Sequence, residues 1–396
     1  MDVELEDFAL LMSPGPVPAW LIVDDSVLFR LGTLVRHLCV GMIDEAVPMT
    51  VLSRSSPSSA GDSIGPSRVV ALKRGWLSWM QRPDAQELVE IVGGVRPQVF
   101  HAMSTELAIW AYDWAIALNA VLVVHMTDLK DVRTFGHLGD YVHTMAVANT
   151  AVIERALLKH HPEMQNRVMT VPLGIPGESE VACFARPDRV PAAIMTAPLE
   201  RSSGVELALK ALQLVHEEQQ PVHLFVLSNG RAEDVFRKLL DRLKLRSMVT
   251  FAGAMHDDEA MRSAMAASDF YIHPMMPERF DAFPLMAMSM GLAILAPKET
   301  IEDYMVDGQT ALLFEPRPSD LANRWLSLLR DRPRARQLAQ GAQEYVRAYH
   351  KASFMVCTIA VLYRQTVARL QRMRSDAIAG TTPVRLGDEK SDELSV

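Results

Sequence analysis

Apolar positions along the chain come in short runs, and the stretches between them carry apolar residues at helical spacing. Strands and helices are therefore expected to alternate, the pattern of a parallel sheet wrapped by helices. In the first half, Trp20 to Asp24, Met49 to Leu52, Gln98 to His101, Ala120 to His125, Ala146 to Asn149 and Arg167 to Pro172 read as strands. An amphipathic helix is expected over Val27 to Ile43, and another through Trp110 and Trp114. The Ser/Pro/Gly-rich stretch from Ser53 to Ser67 reads as a surface loop.

Periodicity fades between Gly174 and Pro191, where proline, glycine and charge accumulate, and this marks a hinge. A second alternation follows. Its expected strands are Ala193 to Thr196, His223 to Leu227, Val249 to Phe251, Phe270 to His273, Ala293 to Ala296 and Ala311 to Phe314. Its helices cover Val205 to Val215, Ala232 to Leu243, Asp258 to Ala267 and Pro284 to Met290. Further helices run over Ser319 to Arg330 and from Pro333 to Arg372, the latter broken near Tyr349-His350. Ser375 to Val396, rich in Asp, Glu, Gly, Thr and Pro, is expected to be disordered.

A chain of 396 residues is long for one core, since single cores stop growing near ~250 to 300 residues, and its 49% apolar and aromatic content can fill two. The expected organisation is an N-terminal unit over 1–176, a hinge over 177–191 and a second unit over 192–348. A terminal helix over 349–374 and a tail over 375–396 complete it. The net charge of −8, without a basic stripe, argues against nucleic-acid binding. Cys39, Cys183 and Cys357 lie far apart and suggest neither a zinc site nor a disulfide framework, which fits a reduced, cytoplasmic setting. The acidic start Met1 to Asp7 is unlike a signal peptide, and no run of about 18 apolar residues suggests a membrane span. Two βα units would place the carboxyl ends of their sheets across a cleft, where open α/β sheets bind ligands. That layout equally suits a glycosyltransferase, a sugar-phosphate epimerase or a hinged binding protein.

One stretch narrows the choice. Residues 269 to 291 read Asp-Phe-Tyr-Ile-His-Pro-Met-Met-Pro-Glu-Arg-Phe-Asp-Ala-Phe-Pro-Leu-Met-Ala-Met-Ser-Met-Gly. This resembles the donor-sugar motif of the family-four retaining glycosyltransferases, in which a strand ends in Pro-Ser, a glutamate precedes a Gly-Phe-Gly loop, and a second glutamate comes eight residues after the first. On that pattern Glu278 falls on the first glutamate, Phe280 on the aromatic, Met286 on the second glutamate, and Ala287, Met288 and Gly291 on the helix signature. Pro97 to Ala102, Val147 to Thr150, Arg167 to Gly174, Val249 to Gly253 and Asp303 to Thr310 resemble further family segments, so the likeness runs from about Trp20 to Tyr363. It implies the GT-B fold, an α/β protein of two Rossmann-like βαβ domains facing each other across a cleft, with a C-terminal helix returning toward the first domain.

The same resemblance implies transfer of a hexose-type sugar from a nucleotide-diphospho sugar with retention, with no cofactor and no metal. Glu278 and His125 become the catalytic candidates. The donor would be held by Arg201, Ser203, Gly204, Asn229, Gly230, Phe280, Asp281, Ala282 and Phe283. Departures are concentrated at ligand positions. The family's pyrophosphate-binding arginine and lysine are replaced by Pro198 and Ser203, the second glutamate by Met286, and the first domain's histidine by Thr127, with His125 two residues earlier. A thioether is a poor acceptor for ribose hydroxyls, and each lost preorganised donor slows such a reaction ~100 to 1,000-fold. Arg201 and the amides opening the helix at Gly204 are the expected replacements for the lost cations. A non-catalytic GT-B scaffold that binds a sugar, a nucleotide or a protein partner is therefore the competing expectation. The partners implied are a nucleotide sugar and a glycan, lipid or small-molecule acceptor, with a peripheral membrane surface or a protein as further options. Asp24, Asp25 and Ser26 stand where the family has a glycine-rich loop and read as helix caps. His160-His161, Lys73-Arg74 and the methionines between Met255 and Met290 read as solvated or packing residues.

Overall fold

A computed structural model describes residues 15–54, 64–65, 67–72, 83–139, 141–200, 202–227, 230, 232–253, 258–274, 276 and 278–379. The first sheet contains β1 (Ala19–Val23), β2 (Met49–Ser53), β3 (Arg68–Ala71), β4 (Val99–Ala102), β5 (Val121–Met126), β6 (Thr144–Ala148) and β7 (Val168–Thr170). All its pairings are parallel, in the order β3-β2-β1-β4-β5-β6-β7. The second contains β8 (Ala192–Met195), β9 (His223–Val226), β10 (Val249–Phe251), β11 (Phe270–Ile272), β12 (Ala293–Pro297) and β13 (Leu312–Phe314), ordered β10-β9-β8-β11-β12-β13 and also parallel. Each sheet reverses its strand order once, between β1 and β4 and between β8 and β11, and such switch points open crevices at the carboxyl ends of the strands.

Local chemistry sets the helix starts. Asp24 caps α1 (Asp25–Asp44) by accepting from the Val27 amide at 2.9 Å. Asp84 caps α2 (Ala85–Val92), Ser104 caps α3 (Thr105–Ala117), Asp128 closes a capping box on α4 (Leu129–Thr134), and Thr150 caps α5 (Ala151–His160). In the second half come α6 (Val205–Glu217), α7 (Glu233–Leu243), α8 (Asp258–Ala266), α9 (Phe283–Ser289), α10 (Pro318–Arg330), α11 (Arg332–Tyr349) and α12 (Ala352–Ala379). One apolar cluster runs from the first sheet through Phe280, Phe283 and Met286 to Ile194 and Tyr271 of the second, so the two sheets share a core. Another lies beneath α6, α7 and α10 around Phe236, Phe270 and Trp325.

Most expected elements are present, with shifts at their ends. The short edge strand β3 and helices α2, α4 and α5 are additions. α12 packs on α1 and β5 and continues to Ala379, which corrects the expectation that order ends at 374; the first helix-breaking residue after it is Gly380. The expected tail beyond Ala379 lies outside the described residues, as does Lys73-Arg74. α1 is long and apolar enough by composition to cross a membrane, contrary to expectation, yet half of that stretch is buried inside the protein. It is the core helix of the first sheet.

The connection from β7 to β8 is clamped at both ends. Asp269, buried at the foot of β11, accepts from the Phe184 amide at 2.7 Å and the Ala192 amide at 2.8 Å, and pairs with Arg189 at 3.1 Å. Near β7, His37 Nδ1 donates to the Gly174 carbonyl at 3.0 Å and the Ile175 amide donates to the His350 carbonyl at 2.9 Å. A Cβ on Gly174 would lie 2.3 Å from the Ala352 Cα, so the chain approaches the start of α12 more closely than any side chain allows. Gly174→Ala is therefore expected to lower stability by about 1–3 kcal/mol, the usual range for forced overpacking, measured as a lower urea midpoint with an unchanged slope.

Candidate functional site

The segment carrying the donor motif leaves β11 at His273 and enters α9, all of whose residues are buried. Between them, residues 278–282 lie against the first sheet. The Phe280 amide donates to the Thr127 carbonyl at 2.9 Å, the Leu129 amide to the Glu278 carbonyl at 2.8 Å, and the Ala282 amide to the Arg30 carbonyl at 3.2 Å. Asp128 and Arg279 form an antiparallel bridge. Arg30, on α1 and 6% exposed, donates Nη1 to the Phe280 carbonyl at 3.0 Å and Nη2 to Thr127 Oγ1 at 3.4 Å. The cleft side of the donor loop is thus closed by the first sheet.

Electrostatics in this seam are unusual for a packing interface. Asp131 is buried and accepts from the Thr105 amide at 2.8 Å and the Thr127 amide at 3.0 Å; burial, and then the neighbouring Asp128, push its carboxyl up to about 6. Burial likewise raises Asp281, with Arg279 and Arg30 opposing the rise. Asp281 lies 3.6 Å from Arg279, and its Oδ1 has no hydrogen-bond partner. Close by, His273 Nε2 sits 3.4 Å from Glu302 without hydrogen-bond geometry, and Tyr304 stacks edge-on to Phe280. Tyr271 and Thr196 share a 2.6 Å hydrogen bond.

The expected site residues fall into distinct places. Glu278 is more than half exposed and forms a two-point ion pair with Arg133 at 3.1 and 2.8 Å, which holds its carboxyl below the usual range. Phe280, Asp281, Ala282 and Phe283 are buried in the seam, with the Phe283 ring 5.6 Å from Phe29 of α1. Met286 is buried against Thr33, whose hydroxyl points to its sulfur at 3.7 Å, and lines a cavity of about 120 Å³ with His37, Ile175, Pro176 and Arg262. The position of the second glutamate is thus a packing position between α9 and α1.

Further along the second sheet, Ser203 turns its hydroxyl onto the Glu200 carbonyl at 2.8 Å, and Gly204 opens α6 with φ 80° and no side-chain cap. Pro198 accepts from the Glu200 amide through its carbonyl. A Cβ on Gly230 would strike the Leu199 carbonyl at 2.6 Å, so this glycine lets the turn close on the 198–200 loop. Arg201 and Asn229 lie outside the described residues. Gly230, Gly204 and Ser203 therefore share one edge of the sheet, whereas Glu278 to Phe283 face the first sheet.

His125 corrects the expectation of a catalytic role. It is fully buried in β5, with Nδ1 3.1 Å from His101 Nε2 and Nε2 2.6 Å from Asn149 Oδ1. The Tyr363 hydroxyl of α12 closes the other end of this chain on His101 Nδ1 at 2.5 Å. The rings of the two histidines stack at 11°. Burial holds both well below the usual histidine range, His125 at about 4, so the chain consists of neutral rings tying α12 to the sheet. Position 125 points into the sheet interior rather than the cleft, which sequence spacing alone does not reveal.

Arg30, Arg133, His273, Glu302 and Tyr304 were not anticipated. Only Arg30 carried a readable signal, as a charged residue on the same helical stripe as Val27, Leu31 and Leu34.

Residues 191–331 match the family described as "Glycosyl transferases group 1". A sulfoquinovosyl transferase of Arabidopsis thaliana is 26% identical over 151 residues, which is 37% of this chain and 29% of that protein. The chain thus spans under a third of the length of that curated relative. Among solved structures, Anabaena HepE in complex with UDP and glucose has a TM-score of 0.71 at 15% identity, covering 87% of this chain and 98% of that one. Sucrose-phosphate synthase of Thermosynechococcus elongatus reaches 0.72 at 16% identity, covering 89% and 99%, and a glycosyltransferase of Rickettsia africae 0.72 at 13% over the same shares. The expected α/β fold of two Rossmann-like units, GT-B and similar to the family-four glycosyltransferases, is borne out.

The buried histidine chain carries a pH signature. Between about pH 6.5 and about 4 an unfolded chain binds a proton at residue 125 that the folded chain refuses, so stability contributed there falls as pH falls through this window, by on the order of 3 kcal/mol. Asp131 acts oppositely, because its folded carboxyl binds protons from about pH 6 downward, earlier than an unfolded one. Denaturant unfolding of wild type and His125→Gln from pH 7.5 to 4 is expected to show the wild type losing ground against the variant by that amount as pH drops. Equal slopes would mean that His125 is not buried neutral.

Proposed function

From a chain of GT-B fold whose second unit matches the group 1 glycosyltransferases, we propose that it transfers a hexose-type sugar from a nucleotide-diphospho-sugar donor to a glycan, lipid or small-molecule acceptor in the cytoplasm, with retention of configuration. The observation that carries this reading is the placement of the donor-motif segment 269–291 at the carboxyl edge of the second sheet, within the matched region and facing the first sheet. Nucleotide binding of this kind is supported by the Anabaena relative, whose structure holds UDP and glucose.

In this reading the diphosphate lies on the amides that open α6 at Gly204, a helix start with no side-chain cap and therefore with donors directed outward. Gly230 lets the adjacent turn approach closely enough to border the base. Glu278 lies on the sugar side, and Arg133 holds it ionised and oriented until the cleft opens. With no side chain invoked as nucleophile, retention in this reading rests on the donor's own phosphate and on closure around the two substrates. No metal is invoked; among the described residues no three His, Cys, Asp or Glu side chains converge to hold one.

A second reading, a GT-B scaffold that binds a nucleotide, a sugar, a protein or a membrane surface without turnover, is favoured by a specific observation. The Phe280 and Ala282 amides, which a sugar would need, are spent on the Thr127 and Arg30 carbonyls of the first unit. Met286 is packed where an acid would hold ribose.

Calorimetry and nucleoside-diphosphate release with UDP-, GDP- and ADP-sugars separate the two. Transfer predicts one donor bound more tightly than ~100 µM, about 5 to 6 kcal/mol, with product released. Glu278→Ala is expected to cut that turnover at least ~10-fold. Binding without release supports the scaffold, and no binding of any of the three overturns the transferase reading.

A further inference from the structure

At the switch point between β8 and β11 the structure buries a set of polar atoms with nothing to bond. Both ring nitrogens of His273, Glu302 Oε1, Asp281 Oδ1, Tyr304 OH, Arg30 Nε and Arg279 Nε all lack hydrogen-bond partners. His273 and Glu302 are each 1% exposed, Tyr304 2% and Asp281 3%. Buried polar atoms are almost always bonded, and so many orphans in one neighbourhood call for a partner that the ligand-free chain does not supply. Asp281 senses the charges of Arg279, Arg30, Glu302 and His273, which places these groups around one point.

Their chemistry selects the partner. Carboxylate oxygens of Asp281 and Glu302 accept, the Nε–H groups of Arg30 and Arg279 donate, and the Tyr304 hydroxyl and the His273 ring nitrogens add further donor or acceptor positions. A phosphate only accepts, and facing Asp281 and Glu302 it would meet like charge. A sugar hydroxyl both donates and accepts, and two or three vicinal hydroxyls would satisfy this set. The Thr196–Tyr271 hydrogen bond lies beside it at the ends of β8 and β11, where an open sheet receives ligands.

We propose that His273, Asp281, Glu302 and Tyr304 form the subsite for the hydroxyl groups of the donor's sugar ring, covered in the ligand-free state by Arg30 of α1. Entry requires the seam to part, because Arg30 and the Thr127–Phe280 and Glu278–Leu129 backbone bonds lie across it. Glu302 and Tyr304 lie outside the altered motif, and His273 and Asp281 lie within it at positions other than its two acids. Sugar recognition therefore does not depend on the acid replaced by Met286.

The proposal rests on nucleotide-sugar binding, so the test reads the sugar's increment separately from the nucleotide. Dissociation constants are measured by calorimetry for UDP, ADP and GDP and for their glucose conjugates, with wild type, Glu302→Gln and His273→Asn, alongside the melting temperature of each. Wild type is expected to bind one conjugate more tightly than its parent diphosphate. Both variants are expected to shrink that ratio at least fivefold, leaving the diphosphate's own affinity and the melting temperature nearly unchanged, since each keeps a polar side chain at the position. A wild-type ratio near one, a ratio unchanged in both variants, or a lowered melting temperature with the ratio intact overturns the subsite and leaves the cluster as a hydrated structural network. Failure of every diphosphate to bind instead removes the nucleotide reading, and the subsite with it.

Discussion

Arg30 is the charge on which the arrangement of the two sheets turns. A guanidinium on the apolar stripe of α1 is strongly disfavoured unless its donors are met; one is met across the seam by the Phe280 carbonyl and another within the first unit by Thr127 Oγ1. Its backbone carbonyl receives the Ala282 amide in return. Removing either partner segment would strand a buried cation, so the donor loop and the first sheet hold each other in place. The raised carboxyls of Asp131 and Asp281, both within its field, belong to the same desolvated region.

The altered motif has a physical logic once the seam is seen. Its small and apolar positions serve packing: Gly291, at φ 70°, has its missing Cβ only 2.7 Å from the Val181 Cα, and Ala287 and Met288 are fully buried. Any sequence keeping the fold must keep these. At position 286, pressed against Thr33, a thioether carries none of the desolvation penalty of a carboxylate. Ser203 likewise closes its own turn without any ligand.

Strand positions and sheet class were legible because parallel strands buried on both faces read as unbroken apolar runs, as Ala19–Val23 and Val121–Met126 do. β3 escaped notice because four partly exposed residues beginning with Arg68 carry no such run. α2 had its signals in plain view, Asp84 at one end and Gly93 in the left-handed conformation at the other, but only three buried residues between them. The site was less legible than the fold. Glu278 could be found by its place in a motif, yet Arg133, which fixes its side chain, lies 145 positions away. His125 could be found by its place two residues before the family's histidine position, yet its surroundings depend on His101 and Asn149 and on Tyr363 of the last helix. Pairings of that kind are made by topology, and local pattern holds no trace of them.

What keeps the seam shut follows from comparing magnitudes. The Arg133–Glu278 pair is more than half exposed on both sides, and such pairs contribute about 0–1 kcal/mol. Burying Phe283 against Phe29 and Met286 against Thr33 contributes about 1.5–3 kcal/mol for each side chain. Apolar contact therefore dominates closure, and the ion pair mainly sets the direction in which Glu278 points. Against this stand the orphaned atoms of His273, Asp281, Glu302 and Tyr304, each of which is better solvated when the seam is open. The closed form is thus held by its apolar rim and opposed by its polar centre, a balance that a ligand bringing hydroxyl groups to that centre would tip toward closure.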